Sequence, residues 1–209
     1  MVTSLPPFIT SILFFHRNKD LDQWPSLRCH SYLAIPSDVM AAHLTSGIDL
    51  HRIVSSCPTC LMYVDYGRNI RCHDELPSLR IPPTRTKFVY FVNTRHFNQS
   101  SGHWITLLLF KKSVLLCDGL NYAISRSDVM RNIRRFCRLN SCKLVCMQFR
   151  CQQEHSSNCG YISLAFVAKY HSLSLRSLHA MQSLFRRHSI RSNESLLLAF
   201  AQKHFSFQI

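Results

Sequence analysis

The sequence predicts an α+β domain, a central mixed β-sheet flanked by helices, and three observations carry that expectation. Lys87 to Asn93 is a β-rich run containing Phe88-Val89-Tyr90-Phe91-Val92. Ile105 to Phe110 and Ser113 to Gly119 are two largely apolar runs joined by Lys111-Lys112, the arrangement of a hairpin. From Cys159 to His171 a polar loop gives way to an apolar stretch in which Tyr161, Leu164, Ala165 and Ala168 recur at the spacing of a buried helix face.

Taken in order, residues 1–36 are punctuated by Pro6, Pro7, Pro25 and Pro36 and read as an irregular arm. The arm is expected to span 1–45 and the folded domain 46–209. Ser37-Asp38-Val39-Met40 caps a short helix to about Leu44, and Ile48 to Val54 forms another. Cys57-Pro58-Thr59-Cys60 followed by Cys72-His73 has one reading as a zinc knuckle. The second pair is adjacent rather than spaced as ligands usually are, so ordinary thiols are the default expectation.

Pro77 to Pro83 reads as a connector into the first strand. After the hairpin, Ser125-Arg126-Ser127-Asp128 caps a helix to about Arg138. On it Arg131, Arg134, Arg135 and Arg138 fall at i, i+3, i+4 and i+7, while Val129, Ile133, Phe136 and Cys137 cover the other side. Four guanidinium groups on one face suit phosphates, although a solvated face is the commoner meaning of such a stripe. Lys143 to Phe149 is the next strand, and helices follow over 159–171, about 174–187 and 193–204.

The chain has 209 residues, enough for one domain with a proper core. Twenty-five Lys and Arg against 11 acidic residues give a net charge of +14, which points to a polyanionic partner, nucleic acid above all. Ten cysteines without regular spacing read as reduced thiols in an intracellular setting. The apolar patch from Leu5 to Phe15 is interrupted by two prolines and has no preceding Lys or Arg, so no secretory signal is expected. No run reaches the ~20 apolar residues of a membrane span, and no membrane association is expected.

Chemistry is expected where Cys159 opens its helix. Unpaired N–H groups and the positive end of the helix dipole there stabilise a thiolate and offer a donor to a developing oxyanion. A glutamine upstream, Gln153 or Gln152, supplies a second donor. The plain alternative is a structural cysteine opening a core helix. A nucleophile needs a base and the base an orienter, and Gly102-His103-Trp104 begins the first hairpin strand while Asp118-Gly119 ends the second. Antiparallel pairing brings His103 and Asp118 together.

At these residues the sequence resembles the adenovirus-type endopeptidases, the adenains, and their relatives the SUMO/Ubl-specific cysteine proteases. His103-Trp104, Asp118, the glutamine and Cys159-Gly160 carry the resemblance. Phe91-Val92-Asn93-Thr94 is similar to the adenain strand before its His-Trp, and Asn193-Glu194-Ser195-Leu196 through Phe207 to its terminal helix. Asp49 to Val54 with Cys57-Pro58 is similar, more weakly, to its N-terminal helix and turn. The specific motifs cover about residues 88–171, and residues 1–45 lie outside the resemblance. Asp118 follows the SUMO-protease branch, where adenains usually carry Glu; Gln153 stands six positions before Cys159 and Gln152 seven, and the two branches differ by that residue.

The resemblance implies a papain-like, adenain-like fold and a thiol endopeptidase with His103, Asp118, Gln153 and Cys159 as the catalytic set. Trp104 is expected beside the site, packing or touching substrate. No metal or organic cofactor is required. The implied substrates are virion precursor proteins, the implied activators DNA and a viral peptide, and the implied setting the host nucleus and virion, with the protein a monomer. Adenains join their peptide by a disulfide to a thiol before the Gln loop, and Cys142, eleven residues before Gln153, stands at that place. Two rivals are a SUMO-like deconjugating protease and, from another class, an inactive basic DNA-binding virion protein. The intact His103, Asp118, Gln153 and Cys159 argue against the latter, since drift removes such residues.

Overall fold

The structure is a computed structural model, and it describes residues 47–55, 69–82, 87–97, 102–170, 182–183 and 185–205. The arm expected over 1–45, the helix expected at Ser37 to Leu44, Cys57, Cys60 and most of the helix expected near 174–187 lie outside the described residues.

The hairpin forms where the two apolar runs place it. β3 (Trp104–Phe110) pairs antiparallel with β4 (Ser113–Cys117), with Phe110 opposite Ser113. The two-residue turn is Lys111-Lys112, and Lys111 takes the positive φ of 53° that such tight turns favour. β2 (Lys87–Asn93) lies antiparallel on the other side of β3, Lys87 opposite Phe110 and Asn93 opposite Trp104. Two short parallel strands complete a mixed five-stranded sheet in the order β1-β2-β3-β4-β5: β1 (Ile70–Cys72) beside β2 and β5 (Lys143–Cys146) beside β4.

Side chains alternate across each strand, so the sheet serves two cores. Phe88, Tyr90, Val92, Ile105, Leu107 and Leu109 face one side, where α2 (Ser127–Leu139) lays down Val129, Met130, Ile133, Phe136 and Cys137. Val89, Phe91, Trp104, Leu108 and Phe110 face the other, against α1 (Gly47–Ser55), α3 (Cys159–Tyr170) and α4 (Ile190–Phe205). The expectation for α2 matches its packing, with the four arginines outward and the apolar residues inward. For α3 the spacing suggested one buried face. The helix is instead buried nearly all round, Ile162, Ser163, Leu164, Phe166 and Val167 included, because it lies between the sheet, α1 and α4.

The last helix starts at Ile190 rather than 193, and two further details differ from the sequence reading. β5 stops at Cys146, not Phe149, because the chain then bends toward α3 while Met147 N still donates to Leu116 O at 3.0 Å. No side-chain cap opens α2; the Asp128 carboxylate is taken by Arg126 instead, at 3.2 and 3.0 Å. Among the described residues no helix is long and apolar enough to cross a membrane.

Candidate active site

His103 immediately precedes β3 and Asp118 immediately follows β4, so the antiparallel pairing sets them at the same edge of the sheet. The His103 backbone is fixed on both sides by Thr94, whose N–H donates to His103 O at 2.8 Å and whose Oγ1 accepts from His103 N at 3.1 Å. Gly102 must be a glycine, since a Cβ there would collide with Asn93 Oδ1 and with the backbone of Arg95.

His103 Nε2 lies 2.7 Å from Asp118 Oδ1. Asp118 is 2 % exposed and is itself held by two backbone donors, Leu120 N–H to Oδ1 at 3.0 Å and Ala123 N–H to Oδ2 at 2.6 Å. A carboxylate so engaged fixes the tautomer with the proton on Nε2 and leaves Nδ1 for the remaining partner of the ring. Cys159 stands beside the ring, close enough for its thiol to interact with the His103 side chain and with the backbone N–H groups of Trp104 and Gly160.

The electrostatics follow from this contact. Burial works against a charged His103, but the Asp118 hydrogen bond and the Cys159 thiolate outweigh it and raise the imidazole to about 9. Burial likewise opposes a thiolate at Cys159, yet the hydrogen bond and charge of His103, with the two backbone N–H groups, bring the thiol below its ordinary value. Between those two titrations the site holds a thiolate and an imidazolium. The arrangement can attack an electrophilic carbon and then return a proton to a leaving group.

No family model matches the chain, and no curated protein matches it either. Among solved structures, the crystal structure of a selenomethionine ASFV protease aligns over 59 % of this chain and 45 % of its own, at 14 % identity and a TM-score of 0.34. The chain thus spans under half the length of that protease. A similarity at this level assigns neither fold nor activity, and the α+β description rests on the sheet and helices themselves.

The loop before α3 separates the two glutamines. Gln152 is fully buried, with its Nε2 donating to Ser156 O at 2.9 Å and its Oε1 packed against Gly119. A Cβ at Gly119 would stand 2.9 Å from that oxygen and 3.1 Å from Ile162, so the residue after Asp118 has no room for a side chain. Gln153 has an exposed side chain, and only its backbone is engaged, N–H to Glu194 Oε2 at 2.9 Å and O from Ser156 N at 3.2 Å.

Glu194 was not legible as part of the site. It comes from α4, is 2 % exposed, and its Oε1 accepts from Ser156 Oγ and, at 2.9 Å, from Asn158 Nδ2. One carboxylate therefore holds residues 153, 156 and 158 of the loop that delivers Cys159. The sequence shows only a Glu at the start of an apolar helix, with no sign of which loop it meets.

The remaining expected residues are placed as follows. Of the two expectations for Trp104, packing or touching substrate, the structure shows the packing: the residue is 7 % exposed and its ring lies against Gly47, while its backbone N–H is beside the Cys159 thiol. Arg131, Arg134, Arg135 and Arg138 are all exposed on the outer face of α2, which packs on the side of the sheet opposite the helix that carries Cys159. Cys142 is half-buried just before the edge strand β5, its Sγ 3.2 Å from Asn140 O, and burial raises its pKa. Cys72 is a free, buried thiol, and among the described residues it does not join His73 in a ligand cluster.

Proposed function

We propose that this chain is a cysteine endopeptidase. The observation that carries the reading is the buried chain of contacts Asp118 to His103 to Cys159, with the thiol at the first residue of a buried helix. In the proposed reaction the Cys159 thiolate adds to the scissile carbonyl carbon, forming the C–S bond and leaving the electron pair on oxygen. The Cys159 backbone N–H and the Gln153 amide hold that oxyanion. Gln153 is assigned this role because its amide is exposed and unengaged, whereas the Gln152 amide is spent on Ser156.

Collapse of the adduct breaks the C–N bond, and the amine leaves with the proton from His103 Nδ1. Water then attacks the thioester, its proton passing to His103 and the thiolate leaving. Replacing Cys159 by Ala abolishes turnover of a peptide substrate and labelling by a thiol-reactive peptide electrophile. His103→Ala reduces both by about 10³-fold or more without unfolding the protein. Turnover retained in Cys159→Ala, measured on purified protein, overturns the reading.

The proposed substrates are virion precursor proteins, with DNA as an activator in the host nucleus and virion. What supports DNA is the +14 charge and the exposed arginine face of α2. Reversing Arg131 and Arg135 to Glu should weaken DNA binding and flatten its salt dependence, leaving peptide hydrolysis without DNA unchanged. Deconjugation of SUMO-like proteins is the second reading, favoured by Asp118 and by a glutamine six positions before Cys159, the spacing of that branch. Preference for a ubiquitin-like C-terminal fusion over short peptides would decide for it.

A further inference from the structure

A second histidine cluster lies beyond the active site. His73 follows β1, His96 stands in the turn after β2, and Asp128 is in the first turn of α2. One ligand atom from each lies within 4.8 Å of the other two, and the two imidazole rings are 4.7 Å apart at 61°.

Metal-ligating histidines commonly have one ring nitrogen anchored by a neighbour, and each of these two rings has such a contact. His96 Nδ1 sits 3.3 Å from Asp74 Oδ2. His73 Nδ1 sits 3.0 Å from the Asn132 side-chain amide, and exchange of the amide N and O makes Asn132 the acceptor of an Nδ1 proton. His73 is fully buried, and among the described residues its Nε2 has no hydrogen-bond partner. A buried imidazole nitrogen without a partner is costly unless something else fills the place.

We propose that His73, His96 and Asp128 bind a divalent transition-metal ion of the zinc class. Two imidazoles and one carboxylate suit zinc, whereas calcium and magnesium select oxygen donors. Arg126 already bonds both Asp128 oxygens, but each oxygen keeps a second lone pair for a cation. The half-exposed His96 leaves water for a fourth position. The ion would join the turn after β2 to α2. It would also draw on the carboxylate that holds Arg126, which reaches Tyr122 Oη at 2.8 Å and lines, with Arg95, a cavity of about 290 Å³ beside His103.

The test uses the full chain carrying Cys159→Ala, so that the thiol beside His103 cannot take up the ion. Zinc binding is followed by calorimetry, and cobalt substitution by its visible absorption. The expected result is one ion per chain lost in His96→Ala, an affinity at least tenfold weaker in Asp128→Asn, and a 10- to 100-fold loss in Asn132→Ala. His73→Gln is buried and is read only if its circular dichroism is native; His96→Ala, on an exposed residue, decides without it. Zinc stoichiometry and affinity unchanged in both His96→Ala and Asp128→Asn overturn the proposal, as does the absence of any cobalt absorption in the parent.

Discussion

His103, largely buried, and His73, fully buried, stand next to strands of the same sheet, yet the first is raised to about 9 and the second falls below its ordinary value. Burial pushes both downward. His103 has a carboxylate in direct contact through Nε2 and the Cys159 thiolate beside it, and these reverse the sign. For His73 burial leads and the nearby His96 adds to it, while Asp128 and Asp74 act only across space and do not recover the loss. The partner in contact, not the depth, decides which imidazole carries charge at neutral pH.

The strongest way to break the comparison is to remove the partner. Asp118→Asn leaves His103 buried without its carboxylate, so its pKa should fall toward the behaviour of His73. In the native protein kcat/KM should rise as pH passes the lowered thiol value of Cys159 and fall as His103 loses its proton near 9. In Asp118→Asn the alkaline limb should move to lower pH and turnover should drop by about 10²- to 10⁴-fold. An unmoved limb would assign the charge on His103 to Cys159 alone.

The same rule sharpens into a smaller effect at the two glutamines. Gln153→Ala should slow turnover by about a hundredfold with the fold unchanged, because an oxyanion donor is lost. Gln152→Ala should cost about 1 kcal/mol of stability, because a buried hydrogen bond is lost, and leave kcat nearly unchanged. Kinetics and thermal melts of the pair check this; the reverse pattern moves the donor by one residue.

Glu194 extends the comparison to a buried acid whose contacts are all donors. Glu194→Ala strands the Gln153 N–H and the Asn158 amide, at a cost of about 3 kcal/mol, and should lower Tm by roughly 6–12 °C. Glu194→Gln keeps the shape and should lose less. Equal melting temperatures for Glu194→Ala and the native protein would show the loop to be held by other means.

The hairpin and the two faces of α2 were legible because alternation and the i, i+3, i+4 pattern are local signals. His103 and Asp118 were legible for the same reason, since each is tied to a strand end. β1 was not, because three residues are too short to alternate visibly and its parallel pairing with β2 is set from a distance. Trp104 was read beside the site, and it is, but by its backbone; period two sends its ring into the core. What separates Gln152 from Gln153 was not legible, because it depends on Gly119 and Ser156 on either side, and neither was the part played by Glu194 on a helix far along the chain.

The carboxylate that steadies the loop ahead of Cys159 is separated from Asn158 by 36 residues, and it follows the loop in the chain. A ribosome working from the N-terminus releases the nucleophile first and its brace later, by about 2–7 s at ordinary elongation rates. During that interval the strands, His103 and Asp118 have already emerged, but residues 153, 156 and 158 lack the carboxylate that joins them. The protein is thus timed by its own topology: the loop ahead of the cysteine gains its last brace only after α4 has been made and has docked.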